Sequence, residues 1–291
     1  MAQSLARPLS LGNVMSAGIT LYRSHLKSYF GMSLKAHLWA FIPVYGWAKF
    51  ETLKSAISRH AFQELIHEPE SLKTAQETLR PKLWGFWVIQ FLVNIILFGV
   101  QTALNAGLQL VLTPVSVIFA DPTDSPTLTL ALSFVIVLIS LTVFLLYLTI
   151  YLWVLTRFFI PELPYAIEEN IDLVKALERS LKLTGGKVTW QIIVIICVIG
   201  AITTPLYILA TIPPVSIFIS SLAVGTDPFI GTESTFQWIL MLLGVGLLWL
   251  FLYLFVSICV MPLWQSLKAV IYYDIRVRKE GLGLTLRDRP N

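Results

Sequence analysis

The stretch LWGFWVIQFLVNIILFGVQTALNAGLQLVL, residues 83–112, decides what kind of protein this is. It holds no Asp, Glu, Lys, Arg or His. A helix needs about 20 apolar residues to cross the hydrocarbon core of a bilayer, and this stretch exceeds that length. Three more follow, at residues 128–160, 188–212 and 236–263. The second and fourth stretches are long enough that tilt, or emergence beyond the hydrocarbon, is expected. Apolar extensions reach toward Phe119 and Val224, interrupted by Pro114 and by Pro213-Pro214. They read as short interfacial or re-entrant pieces.

Composition agrees. Of 291 residues, 56% are hydrophobic and only 13% charged, against roughly a quarter charged in soluble domains. Mean hydropathy is +0.75. A soluble globule, a disordered chain and a disulfide scaffold are all excluded, the last because Cys197 and Cys259 are the only two cysteines. Both lie inside spans and read as small apolar fillers. The fold class is all-α: a polytopic integral membrane helical bundle.

The 21 Lys and Arg orient it. They cluster near the N-terminus, between residues 49 and 82, between 157 and 187, and in the tail from Lys268 to Arg289. The loops 113–127 and 213–235 contain none, and carry Asp121, Asp124, Asp227 and Glu233. The positive-inside rule puts the basic segments and the C-terminus in the cytoplasm and the acidic loops outside. Tyr29–Phe50 is a fifth apolar segment, holding Lys35, His37, Pro43 and Gly46. It is either a crossing or a re-entrant hairpin. A cytoplasmic N-terminus favours the hairpin. No basic n-region precedes the first apolar run at signal-peptide distance, so insertion without cleavage is expected.

The spans read as two copies of one unit. Lys82 and Lys187 open the two hairpins, Asp121-Pro122 and Asp227-Pro228 mark the outer loops, and Phe159-Ile160-Pro161 and Val260-Met261-Pro262 close them. Nearly constant offsets imply duplication, as in other membrane folds. A weaker echo joins Arg23–Lys27 to Arg179–Lys182 and hints at a degenerate third copy. The chain divides accordingly into 1–82, 83–186 and 187–291.

Three segments read as amphipathic helices on the inner surface. The first has Ser10 as N-cap, with Leu11, Val14, Met15, Gly18 and Tyr22 along one face. The second aligns Leu53, Ile57, Ala61 and Leu65. The third aligns Ile167, Ile171, Val174, Leu177 and Leu181 and closes at Gly185-Gly186. Their apolar faces either dock a partner or pack on their own spans.

Chemistry has few candidates. Gln90, Asn94, Gln101 and Asn105 fall within about 60° on the first span, and Ser133, Ser140, Tyr147 and Tyr151 share a face of the second. Facing each other, the two stripes would either hydrogen-bond between helices or line a polar crevice. No Asp, Glu, Lys or Arg sits mid-span in the four clear spans, which argues against an ion-coupled pump. His60, Glu64 and His67 share one helical face, but a carboxylate-bridged metal site needs several such motifs. No metal or cofactor is expected. Catalytic signatures such as H-E-x-x-H and G-x-S-x-G are missing, so no enzyme is expected either. The basic residues Arg179, Lys182, Arg276, Arg278 and Lys279 are candidates for lipid or partner contact. Tryptophans at span ends, including Trp84, Trp153, Trp190 and Trp238, read as interfacial anchors.

Two motifs carry a family resemblance. ALERSLKLTGG, residues 176–186, resembles an A-L-x-R-S-W-K-L-T-x-G pattern, and YYDIRVRKEG, residues 272–281, resembles Y-Y-D-L-R-x-R-x-E-G. Together they are similar to a bacterial family of multi-helix membrane proteins, some of which form the membrane domain of glycerophosphodiester phosphodiesterases. The run Leu38–Lys49 resembles stand-alone cyanobacterial members. The pattern departs at Leu181, where Trp is usual, and at Gly283, where an acidic residue is usual. With no hydrolase domain attached, the resemblance implies a membrane part and no catalytic residues. The expected role is a scaffold, assembly factor or accessory subunit, or alternatively a carrier or channel for a small uncharged or lipid-like molecule. The expected partners are the lipid bilayer and a membrane protein or a second copy of the chain, with no nucleic acid. The expected location is the bacterial cytoplasmic membrane, or a thylakoid membrane in a cyanobacterium.

Overall fold

A computed structural model describes residues 9–120, 126–169, 171–223 and 232–282. Among them every regular element is helical: α1 (Leu11–Ser24), α2 (Leu26–Ala40), α3 (Tyr45–Leu65), α4 (Leu72–Leu79), α5 (Leu83–Ala120), α6 (Pro126–Arg157), α7 (Glu162–Ile167), α8 (Leu173–Leu183), α9 (Lys187–Ala223) and α10 (Thr232–Glu280), with a 3-10 turn at Arg80–Lys82. Four helices are long and apolar enough to cross a membrane: α5, α6, α9 and α10. The protein is an all-α, polytopic membrane bundle. Asp121, Asp124, Asp227, Arg287 and Arg289 lie outside the described residues.

The chain forms two compact units, residues 1–84 with 194–291, and residues 85–193. In the first, α1 and α3 lay their apolar faces on the C-terminal half of α10. Ser10 caps α1 by accepting from the Asn13 N–H, as its position before the apolar repeat requires. Leu53, Ile57, Ala61 and Leu65 are all buried, so the second amphipathic face is spent on internal packing. It meets Tyr272 and Tyr273 through Phe62, whose ring centroid is 5.4 Å from that of Tyr272. Ser58 donates to Gln265 across this interface at 2.6 Å.

The fifth apolar segment is a hairpin. The chain leaves α2 at Phe41 and enters α3 at Tyr45. Val44 takes a positive φ of 61° at the turn. A side chain at Gly46 would collide with the Trp39 carbonyl, so only glycine lets the chain reverse so tightly. Lys49 sits 4.0 Å over the Trp39 ring, His37 packs edge-on against Phe50, and Tyr29 meets His60. The pairing is antiparallel, and the tip exposes Leu38, Phe41, Ile42 and Trp47.

In the second unit, Ile89, Val93 and Ala176 form a core with Leu97, Phe158, Tyr165 and Leu177 around them. Phe86 packs edge-on against Tyr165. The third amphipathic stretch differs from expectation. It is two helices, α7 and α8, and the buried face of α8 is Ala176, Ser180 and Leu183. Val174 is 75% exposed. Helix α7 ends at Ile167 and α8 starts at Leu173, which resets the helical phase that a single periodic reading carries through.

The apolar extensions also differ. Rather than separate pieces, α5 runs on past Pro114 to Ala120, and α9 continues through Pro205, Pro213 and Pro214 to Ala223. Hydroxyls beside these prolines bond to carbonyls of the preceding turn: Thr203 to Ile199, Thr211 to Ile208 and Ser216 to Pro213.

Candidate functional site

The long helices are mostly bare. None of the most apolar stretch of α6 or α10 is buried, which leaves those surfaces to lipid. Against that background the polar residues stand out. On α5, Gln90 is half-buried and donates to Asn94 at 3.0 Å. Asn94, Gln101 and Asn105 are exposed, and they lie within about 40° of one another around the helix. Among the described residues the side chains of Gln101 and Asn105 have no hydrogen-bond partner. Their neighbours are lipid-type surface such as Phe98, 71% exposed, and Leu110, 78% exposed.

On α6 the polar residues are placed differently. Ser133, Ser140, Tyr147 and Tyr151 are half-buried, and the two tyrosines stack at 6.4 Å. The half-buried line of α5 is Val93 (fully buried), Leu97, Val100 and Leu104. The amides sit about a quarter-turn to one side of that line. The structure therefore does not bring the two polar stripes face to face as a crevice.

The basic candidates are engaged within the chain, Arg179 and Arg278 between separate segments, and Lys182 and Arg276 locally. Arg179 donates to Glu168 at 2.7 Å, Lys182 pairs with Glu178 at 2.7 Å, and Arg276 pairs with Glu280 at 2.9 Å. Lys182 holds the Glu178 carboxyl below its usual range, by hydrogen bond and charge. Arg278 donates to Asp274 at 2.7 Å and also to the Leu9 carbonyl, while Asp274 accepts from the Leu9 N–H at 2.7 Å. Asp274 and Arg278 thus clamp the start of the chain onto the end of α10. Lys279 is likewise engaged.

The first motif works as a cap. Ser180 donates to the Arg157 carbonyl at 3.0 Å, which satisfies the end of α6, while the Thr184 hydroxyl donates back to the Ser180 carbonyl at 2.7 Å. Thr189 then donates to the Thr184 carbonyl at 2.6 Å. Gly186 takes a positive φ of 78°, the left-handed turn that ends α8. Trp84, Trp153 and Trp190 are exposed as anchors, but Trp238 is buried. Both cysteines are free.

Two features were not visible from spacing. One is a cavity of about 400 Å³ between α2, α3 and α4, lined by Lys35, Lys49, Arg80, Gln76, Glu77 and Trp39. Its three cations against one carboxylate favour an anion. The other is a cluster at the joint between α1 and α2. His60 and Glu64 do share a face of α3, but His67 lies beyond the helix end, at a positive φ of 61°. The third member is His25, 35 positions upstream of His60, with its Nε2 2.7 Å from Glu64 Oε2.

Compared with family models, curated proteins and solved structures, the chain matches none.

Proposed function

We propose that this is a non-catalytic integral membrane protein that serves as an accessory or scaffold subunit, holding a second membrane protein, or a second copy of itself, against α5. The exposed amide stripe Asn94–Gln101–Asn105 carries this reading. An amide left facing hydrocarbon costs several kcal/mol, so such a stripe calls for a covering helix with polar groups of its own. A cytoplasmic docking platform has less support, because the apolar faces of α1 and α3 are already buried against α10. The charge pattern favours a cytoplasmic C-terminus, and the motif resemblance favours a bacterial cytoplasmic membrane, or a thylakoid membrane in a cyanobacterium.

Native mass spectrometry of the protein extracted in mild detergent tests this. A stoichiometric partner or dimer is expected, and Gln101→Leu with Asn105→Leu should abolish it while leaving a folded, abundant monomer. A wild-type protein that is always monomeric would overturn the reading. The second reading is a protein that acts on lipids, and the cationic cavity beneath the apolar hairpin tip favours it. Retention of anionic lipid, lost in Lys49→Gln with Arg80→Gln, would support it.

A further inference from the structure

Neither the amide stripe nor the cationic cavity uses the cluster at the α1–α2 joint. His25 sits at that joint, and His60 and Glu64 stand one turn apart on α3. One ligand atom from each lies within 4.8 Å of the other two. His25 Nε2 and Glu64 Oε2 are 2.7 Å apart, yet both atoms are buried and neither has a hydrogen-bond partner. They meet the distance of an ion pair without the alignment of a hydrogen bond. Buried polar atoms left in this way are uncommon, and a shared cation is one thing that satisfies both.

A second observation fixes His60. The Tyr29 oxygen lies 2.9 Å from His60 Nδ1, and the rings of Tyr29 and His25 both pack edge-on against His60, at 5.5 and 4.9 Å between centroids. With Nδ1–H donating to Tyr29, Nε2 of His60 keeps its lone pair. Metal-binding histidines are typically oriented by such a bond at the other ring nitrogen.

We propose that His25, His60 and Glu64 bind one divalent transition-metal ion of the zinc class, with Tyr29 as a positioning residue. Two imidazoles and one carboxylate suit zinc, whereas calcium and magnesium prefer all-oxygen sites. Ligand atoms on four-coordinate zinc stand about 3.3 Å apart, so small side-chain movements close the cluster. The side chains of His25 and Glu64 are 31% and 35% exposed, which leaves an entry path and room for a water as fourth ligand. The ion ties the α1–α2 joint to α3.

The test is calorimetric titration of zinc into the full-length, chelator-stripped protein in detergent. One bound equivalent is expected, together with a rise in melting temperature, and magnesium should give neither. His60→Gln and Glu64→Gln should each weaken binding at least tenfold, Tyr29→Phe by about tenfold, and His67→Gln not at all. Wild-type protein that binds no zinc, or His60→Gln that binds it normally, overturns the proposal. If His60→Gln fails to fold, X-ray absorption of the zinc-loaded wild type decides. A shell with two imidazoles supports the site, and a shell without imidazole or with sulfur rejects it.

Discussion

The two long-helix hairpins carry the same sequence landmark at their ends and do opposite things there. At Phe159-Ile160-Pro161 the helix α6 has already stopped, at Arg157, and the chain turns into α7. At Val260-Met261-Pro262 the helix α10 runs straight through and continues to Glu280. Proline alone does not explain the difference, since both hairpins have it. What differs is what lies beside each proline. After α6 the carbonyl that Pro161 leaves without an N–H, that of Arg157, accepts from Ser180 of α8, so the end is capped and stopping is cheap. In α10, Pro262 has no N–H for the Ile258 carbonyl, but Tyr22 of α1 donates to the adjacent Cys259 carbonyl at 3.1 Å. The helix survives because the N-terminal helices are packed beside it. Two segments alike in sequence thus take different local structures from different neighbours.

If this is right, the two halves of α10 should respond very differently to the same loss. Tyr272 is fully buried against Phe62, and Tyr272→Ala should cost about 3–5 kcal/mol in detergent unfolding. Phe251 is 67% exposed, and Phe251→Ala should cost well under 1 kcal/mol. Equal effects would mean that the extension past Pro262 is not anchored in the bundle. Next in size is the carbonyl support. Tyr22→Phe should cost about 1 kcal/mol, and less when Pro262 is also replaced by alanine. A double-mutant cycle with coupling near zero would detach Tyr22 from the proline. At the first landmark, Ser180→Ala with Thr184→Val should cost a similar amount but act locally. The expected sign is faster amide exchange at residues 158–160 with α10 unchanged.

How far the sequence disclosed this follows from the range of the interactions. The four spans, the N-cap at Ser10 and the buried face of α3 are local patterns, and they stand where the spacing puts them. The fold-back of residues 29–50 was left between two readings. Its decision rests on one close approach, Gly46 against Trp39, that composition does not report. The amphipathic reading of 167–181 holds at Ile171 and Leu177, which pack on the core, but not at Val174, because the helix breaks before Leu173 and the phase shifts. The site residues were harder still. His60 and Glu64 were singled out with the wrong third member, because His25 reaches them through the α1–α2 joint and no periodicity links it to α3. The basic motif residues looked free in one dimension. Their carboxylate partners are an ion-pair length away in three.

The smallest effect concerns the hairpin that packs on α3 and α10. His37 is buried, with Nδ1 2.8 Å from the Ser33 carbonyl and its ring edge-on to Phe50. Burial pushes its pKa below the ordinary histidine value, and the Ser33 bond only partly opposes this. The unfolded hairpin therefore binds a proton at a higher pH than the folded one does. The stability held by neutral His37 is complete above the unfolded pKa, about 6.5, and declines as the pH falls through that value toward the folded one. Between pH 7 and pH 5 the wild type should lose stability relative to His37→Phe, read as a change in the difference between their melting temperatures. A constant difference would mean that His37 is already solvated. The hairpin would then owe its shape to the glycine turn and the Lys49–Trp39 contact alone, much as α6 owes its end to a cap rather than to a core.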